Sequence, residues 1–212
     1  MKNRVCFAVL FVMLSVSGVL AADSRGPTEQ LKPVLDELIN VLSDESLRGR
    51  QHFEERRAKI MLNIKKGFDF KEMSKRILGK TWRKLSDDER DSFTGLMTKL
   101  LENVYIGKLE NYSGEAIIFD AERIKGKRAQ VTTIFEGRGG NIPIHYIMRK
   151  KGDSWLVYDI NIEGVSLVRN YQEQFKSILR QKKYAGLVKV IKDKNWAFEQ
   201  ERKLNSTEKE SK

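Results

Sequence analysis

Trp155-Leu156-Val157-Tyr158-Asp159-Ile160-Asn161-Ile162-Glu163-Gly164-Val165-Ser166-Leu167-Val168-Arg169-Asn170-Tyr171 changes its period midway. As far as Ile162 the apolar residues alternate, which is the two-residue repeat of a strand. Leu156, Tyr158, Ile160 and Ile162 are expected on one face, with Trp155, Val157, Asp159, Asn161 and Glu163 on the other. The first face is the more apolar and has to be covered by helices. From Val165 the spacing turns helical through Leu167, Val168, Tyr171, Phe175, Ile178 and Leu179. It continues through Leu187, Val190 and Ile191 after a break expected at Gly186.

Working backwards, residues 115–120, 128–136 and 142–150 are rich in Ile, Val, Thr and aromatics and are separated by Gly-containing turns. With residues 155–162 they make a consecutive meander of four antiparallel strands. Before Gly114 the spacing is helical. Leu31, Val34, Leu35, Leu38, Ile39 and Leu42 form one stripe, and Phe53, Ile60, Ile64 and Phe68 a second. Asp69 with Glu72, and Ser86 with Glu89, have capping-box spacing and open two more helices. These carry Met73, Ile77 and Leu78, then Phe93 to Tyr105. Helices, a meander, then helices again predict an α+β fold rather than a doubly wound sheet.

The N-terminus stands apart. Lys2 and Arg4 precede an uncharged apolar run from Val5 to Leu20 that ends in Ala21 and Ala22, the layout of a secretory leader spanning residues 1–21. No later run reaches the roughly 18 to 20 uncharged residues a membrane span needs. Residues 22–194 are expected as a single domain and 195–212 as a charged, frayed tail. The chain has 212 residues, with 40 Lys plus Arg against 29 Asp plus Glu, and its formal net charge is +11. Its one cysteine, Cys6, lies in the leader, so the processed chain holds no disulfide or thiol chemistry. For an exported protein this basicity points to anionic lipid headgroups or an acidic protein surface rather than nucleic acid.

No pattern of reactive residues stands out. Gly164-Val165-Ser166-Leu167-Val168 has the strand-to-helix setting of a nucleophile elbow but lacks the second glycine, and Ser166 also fits a helix N-cap. The two histidines, His52 and His145, sit within an amphipathic helix and a strand, with no zinc-ligand spacing. Paired carboxylates such as Asp87-Asp88 and Glu54-Glu55 read as solvated charge. No metal, cofactor or catalytic residue is expected. The apolar surplus facing inward could fill a core or surround a ligand.

Two segments resemble a known family. Phe68-Asp69-Phe70-Lys71-Glu72-Met73-Ser74-Lys75-Arg76-Ile77-Leu78-Gly79-Lys80-Thr81-Trp82 and the run Val157 to Tyr171, with Gln174-Phe175 after it, are similar to hallmark stretches of the MlaC family of periplasmic phospholipid-binding proteins, also called toluene-tolerance proteins. Ser74 replaces the usual alanine, and Gln172 stands where an arginine often follows the tyrosine. The resemblance implies a nuclear-transport-factor-like cone, a curved four-stranded antiparallel sheet wrapped by N- and C-terminal helices around an apolar cavity. It implies bound phospholipid as cargo, with no cofactor. It further implies a periplasmic shuttle between an outer-membrane lipoprotein–porin complex and an inner-membrane ABC lipid-transport complex, maintaining outer-membrane lipid asymmetry. The residues expected to line such a cavity are Met73, Ile77, Leu96, Leu100, Val131, Ile144, Tyr146, Tyr158, Ile160, Val165, Leu167 and Val168. Trp82, Gly164 and Tyr171 are expected to serve packing and turns. Two other readings stay open at this point: an enzyme of the same cone acting on a small hydrophobic substrate, and a partner-binding module with a solid core.

Overall fold

A computed structural model describes residues 25–110, 112, 114–137 and 140–207. The expected leader, residues 1–21, lies outside the described residues. The first helix, α1 (Pro27–Ser43), starts with proline in its first turn, where the missing N–H costs nothing. Its apolar stripe faces inward through Leu31, Val34, Leu35 and Leu38. Gln30 fixes it to the sheet, accepting from the Trp155 N–H (2.8 Å) and donating to the Asp153 carbonyl (3.1 Å). Helix α2 (Phe53–Gly67) lies against α1, and Asn63 Nδ2 donates to the Val34 carbonyl at 2.6 Å. Gly67 eases this close approach, because a Cβ would stand 3.0 Å from a Val34 methyl, tighter than an ordinary contact.

Helix α3 (Phe70–Leu78) opens on Asp69, whose carboxylate accepts from the Glu72 N–H at 2.9 Å. The reciprocal half of that capping box is absent. The Asp69 N–H donates instead to the Val157 carbonyl (2.8 Å), which leaves the buried Glu72 carboxylate to pair with Arg76 (2.9 Å) and Arg149 (2.5 Å). Glu72 thereby ties α3 to the sheet. At α4 (Asp87–Glu110) both halves of the box form: Ser86 N–H to Glu89 at 2.8 Å, and Glu89 N–H to Ser86 Oγ at 3.2 Å.

The sheet is an antiparallel meander in the order β1 (Ala116–Lys125), β2 (Arg128–Gly137), β3 (Gly140–Lys151), β4 (Ser154–Ile162) and β5 (Val165–Ser166). It has five strands where four were expected. The fifth is a two-residue return, Asn161 and Ile162 pairing with Ser166 and Val165. Glu163 (φ 52°) and Gly164 (φ 83°) turn the chain with positive φ at both central positions, the geometry whose twist suits a tight hairpin. Two bulges bend the sheet: Asp120 is extra in β1 against β2, and Tyr158 is extra in β4 against β3.

The Tyr158 bulge overturns the expected faces of β4. Ile147 pairs with Asp159 and Met148 with Val157, so alternation restarts at the bulge. Trp155 and Val157 consequently pack in the same cluster as Ile160, while Tyr158 is buried under the Arg76 guanidinium, 3.8 Å from its ring centre.

Helix α5 (Leu167–Thr207) is not one rod, because Lys183 has φ 57° and ψ −169°. The expected break at Gly186 therefore falls three residues earlier. Gly186 supplies room beside it, since a Cβ there would lie 2.3 Å from the Lys182 Cβ. Helix also continues through the segment expected to fray. Asn195 is buried, donating to the Leu96 carbonyl (3.1 Å) and accepting from Asn103 (3.0 Å). Asn103 in turn accepts from the buried Arg57 of α2 (2.5 Å), which also pairs with Glu102.

Three clusters make up the interior. One lies among α3, α4 and α5, the second between α1 and the sheet, and the third among α1, α2 and the end of α4.

Candidate functional site

The strand register lines up three cross-strand rows on the inner face of the sheet. Ala129, Met148 and Val157 form a row that is buried outright. Leu31 and Leu35 of α1 pack in the same cluster. One row further on, Val131, Tyr146 and Ile160 pair across β2, β3 and β4, with Val131 at 0% exposure and Ile160 already partly buried. The third row runs across all five strands: Phe119, Thr133, Ile144, Ile162 and Val165. Here Phe119 and Ile144 are partly buried, Ile162 is 38% exposed and Val165 59%. Thr133, at the centre of the row, is at 0% exposure, and Lys32 of α1 lies 5.3 Å from the Phe119 ring centre, so the row is covered over β1 and β2 and opens towards its Ile162 and Val165 end.

Burial shapes the chemistry of the middle row. It pushes the Tyr146 phenol up to about 12, with Thr133 close enough to offset part of that shift. The wall is therefore uncharged at any physiological pH.

A second apolar space of about 390 Å³ lies between α4 and both arms of α5. Leu100, Val104 and Phe198 line it with Tyr105 and Tyr171, and the exposed Asn170, Gln174, Lys194 and Glu201 stand at its rim. Burial raises the Tyr171 phenol to about 12, helped by Tyr105, so this lining too stays neutral.

The residues expected to line a cavity do not fall into one place. Val131, Tyr146, Ile144 and Ile160 lie on the inner sheet face. Met73, Ile77, Leu100 and Val168 are buried in the helical cluster, with Leu96 and Leu167 packed against it, and Leu100 also reaches the 390 Å³ space. Tyr158 sits at its bulge and Val165 on the exposed end of the third row. Sequence reasoning passed over Phe119, Thr133 and Ile162, which the register places in that row. Only the pairing of strands, not any motif, reveals them. It also took Tyr171 as packing alone, whereas Tyr171 borders the second space.

Ser166 is a cap. Its Oγ donates to Asp159 Oδ2 (2.6 Å) and accepts from the Arg169 N–H (3.1 Å), while Asp159 Oδ1 accepts from the Val168 N–H (3.0 Å). His145 Nδ1 lies 3.0 Å from Thr132 Oγ1, a contact within the sheet. Among the described residues no cluster of three or more His, Cys, Asp or Glu could hold a metal ion, and no helix is long and apolar enough to cross a membrane.

Set against known proteins, residues 32–193 match the family model described as MlaC protein. The chain is similar to the intermembrane phospholipid transport system binding protein MlaC of Haemophilus influenzae, at 26% identity over 110 residues, 49% of this chain and 51% of that one. It is also similar to the toluene tolerance protein ttg2D of Pseudomonas putida, at 25% identity over 100 residues, 46% of either chain. The chain spans about half the length of the curated relatives it matches. Among solved structures, the phospholipid-binding protein from Ralstonia solanacearum, determined in complex with a phospholipid, has the same fold. The TM-score is 0.75 at 22% identity, covering 82% of this chain and 99% of that one.

Proposed function

This chain belongs to the MlaC family, and from that premise we propose that it is a periplasmic phospholipid carrier. It takes lipid as cargo and shuttles it between an outer-membrane lipoprotein–porin complex and an inner-membrane ABC lipid-transport complex, after export on the leader of residues 1–21. The observation that carries this reading is the third cross-strand row, which runs from the covered face under α1 to an apolar end open at Ile162 and Val165. Acyl chains lie along it, against Phe119, Ile144, Ile160 and Ile162. The polar group stays at the exposed end near Val165.

Physical need and physical means agree. A phospholipid carries roughly 30 methylenes, each costing about 0.8 kcal/mol in water, so its unassisted passage between membranes is prohibitive. A carrier competes with bilayers in which those chains are already dry, and a shallow, partly open apolar face suits near-neutral exchange better than a sealed cavity.

Catalysis has no comparable support, since the hydroxyl of Ser166 is engaged in capping α5.

Organic extraction of protein purified from the periplasm of a native-like host, followed by lipid mass spectrometry, tests the reading. Phospholipid in stoichiometric amount is expected. Folded protein that is reproducibly lipid-free and takes up none from vesicles overturns it.

A further inference from the structure

The second arm of α5, residues 184–207, presents a face that neither the core nor the 390 Å³ space uses. Helical geometry places Lys189, Lys192, Trp196 and Lys203 within about 40° of one line along it, with Leu204 about 80° round from Trp196. All five are exposed, Trp196 at 63% and Leu204 at 65%. Phe198 and Glu201, which line the space, point to the far side of the same arm. Trp82 and Trp155 are each only 6% exposed, so Trp196 is the one tryptophan at the surface. Two carboxylates share this side of the arm, Asp193, which pairs with Lys189 at 2.8 Å, and Glu199, one turn beyond Trp196, so the basic excess of the face is modest.

We propose that this face docks on the headgroup layer of an anionic phospholipid bilayer, with Trp196 seated among the headgroups and the lysines beside phosphates. An indole flanked by long cationic side chains is the combination that settles at a membrane–water boundary, apolar ring inward and charged heads outward. Charge complementarity favours the same partner: the full chain carries a formal charge of +11, two units of it on Lys2 and Arg4 of the leader, so the processed chain stays basic, and basic residues near an anionic leaflet are drawn to it. A protein partner fits less well. A stable protein interface is built round a broad apolar centre largely free of charge, whereas this face is a convex ridge with lysines on both sides of a single aromatic ring. The inference rests on the carrier reading for its purpose, since a carrier has to meet a bilayer to exchange lipid with it, but its test does not depend on cargo.

The full chain is titrated with phosphatidylcholine vesicles, with and without phosphatidylglycerol, while tryptophan emission and acrylamide quenching are followed. Phosphatidylglycerol vesicles should shift the emission to shorter wavelength and protect against quenching, and added salt should reverse both. Trp196→Phe should abolish the optical change, which separates docking from any effect of lipid uptake on Trp155. In co-sedimentation, Trp196→Ala combined with Lys192→Glu should weaken vesicle binding at least tenfold, with the lipid content of the purified protein unchanged. The proposal is overturned if the vesicles leave quenching unaltered, if the double variant binds like the parent, or if Trp196 is protected only by a protein partner. A lipid-free protein whose Trp196 is still protected by vesicles would sink the carrier reading and leave the docking face standing.

Discussion

At the scale of single residues, the strand-to-helix junction shows how one short stretch serves two elements. Asp159 and Ser166 together satisfy the first free N–H groups of α5 and clamp β5 to β4. Ser166→Ala should cost about 1 kcal/mol in a urea titration, the usual worth of a cap, and leave bound lipid unchanged. Asp159→Ala should cost more, because it releases the Val168 N–H and the Ser166 hydroxyl at once. The two buried tyrosines predict a pH response. Tyr146 and Tyr171 have phenols raised to about 12, so the folded state holds their protons where the unfolded chain has begun to lose them. Stability contributed this way is complete below pH about 10 and falls as pH rises towards 12, by about 1.4 kcal/mol per unit for each group. Alkaline melts of Tyr146→Phe and Tyr171→Phe should be flatter than those of the parent over that window. A parent curve that is already flat there would show the burial argument to be wrong.

Among the elements, what the sequence discloses and what it hides divide along physical lines. The stripes of α1 and α4, the box at Ser86 and Glu89 and the period change at Gly114 are local patterns, and the structure has them where the residues put them. The bulge at Tyr158 is not local. Alternation runs unbroken through Leu156, Tyr158 and Ile160, and only pairing with β3 shows that Val157 and Ile160 share a face. That is why the third row, the heart of the candidate site, could not be assembled from β4 alone. The break in α5 was misplaced for a similar reason, glycine being the usual signal and lysine the residue that bears the strain. Lys183 occupies a region of φ and ψ that side chains avoid, so Lys183→Gly should raise stability by about 1 kcal/mol, read from the urea midpoint. The charged tail hides Asn195, whose two amide contacts link α5 to α4. Truncation after Lys194 should therefore lower the melting temperature well beyond the few degrees a frayed end would cost, because it leaves the Asn103 amide N–H without Asn195 and removes Phe198. A melting point within two or three degrees of the parent would show the tail to be dispensable.

For the molecule as a whole, the question is which of two apolar spaces receives the cargo. The sheet row crosses all five strands and opens at its Ile162 and Val165 end, while the space between α4 and α5 is bounded by two helical arms and holds about 390 Å³. The exposed apolar end at Ile162 and Val165 favours the sheet, because a lipid there keeps its headgroup in water. Ile144 and Val104 make a matched pair for deciding it, because both are partly buried, one in each space, so neither substitution forces a charge into the fully packed core. An aspartate at Ile144 sets a carboxylate against acyl chains, where it must hold water in the strip or take up a proton at a cost of several kcal/mol. Bound phospholipid per folded molecule, from extraction and mass spectrometry alongside circular dichroism, should fall several-fold in Ile144→Asp and stay near the parent value in Val104→Asp. Lipid binds only the folded chain, so the parent's melting temperature should also rise when delipidated protein is given vesicles, and that rise should shrink in Ile144→Asp alone. The opposite pattern, with lipid lost in Val104→Asp and kept in Ile144→Asp, would move the cargo from the sheet to the helices.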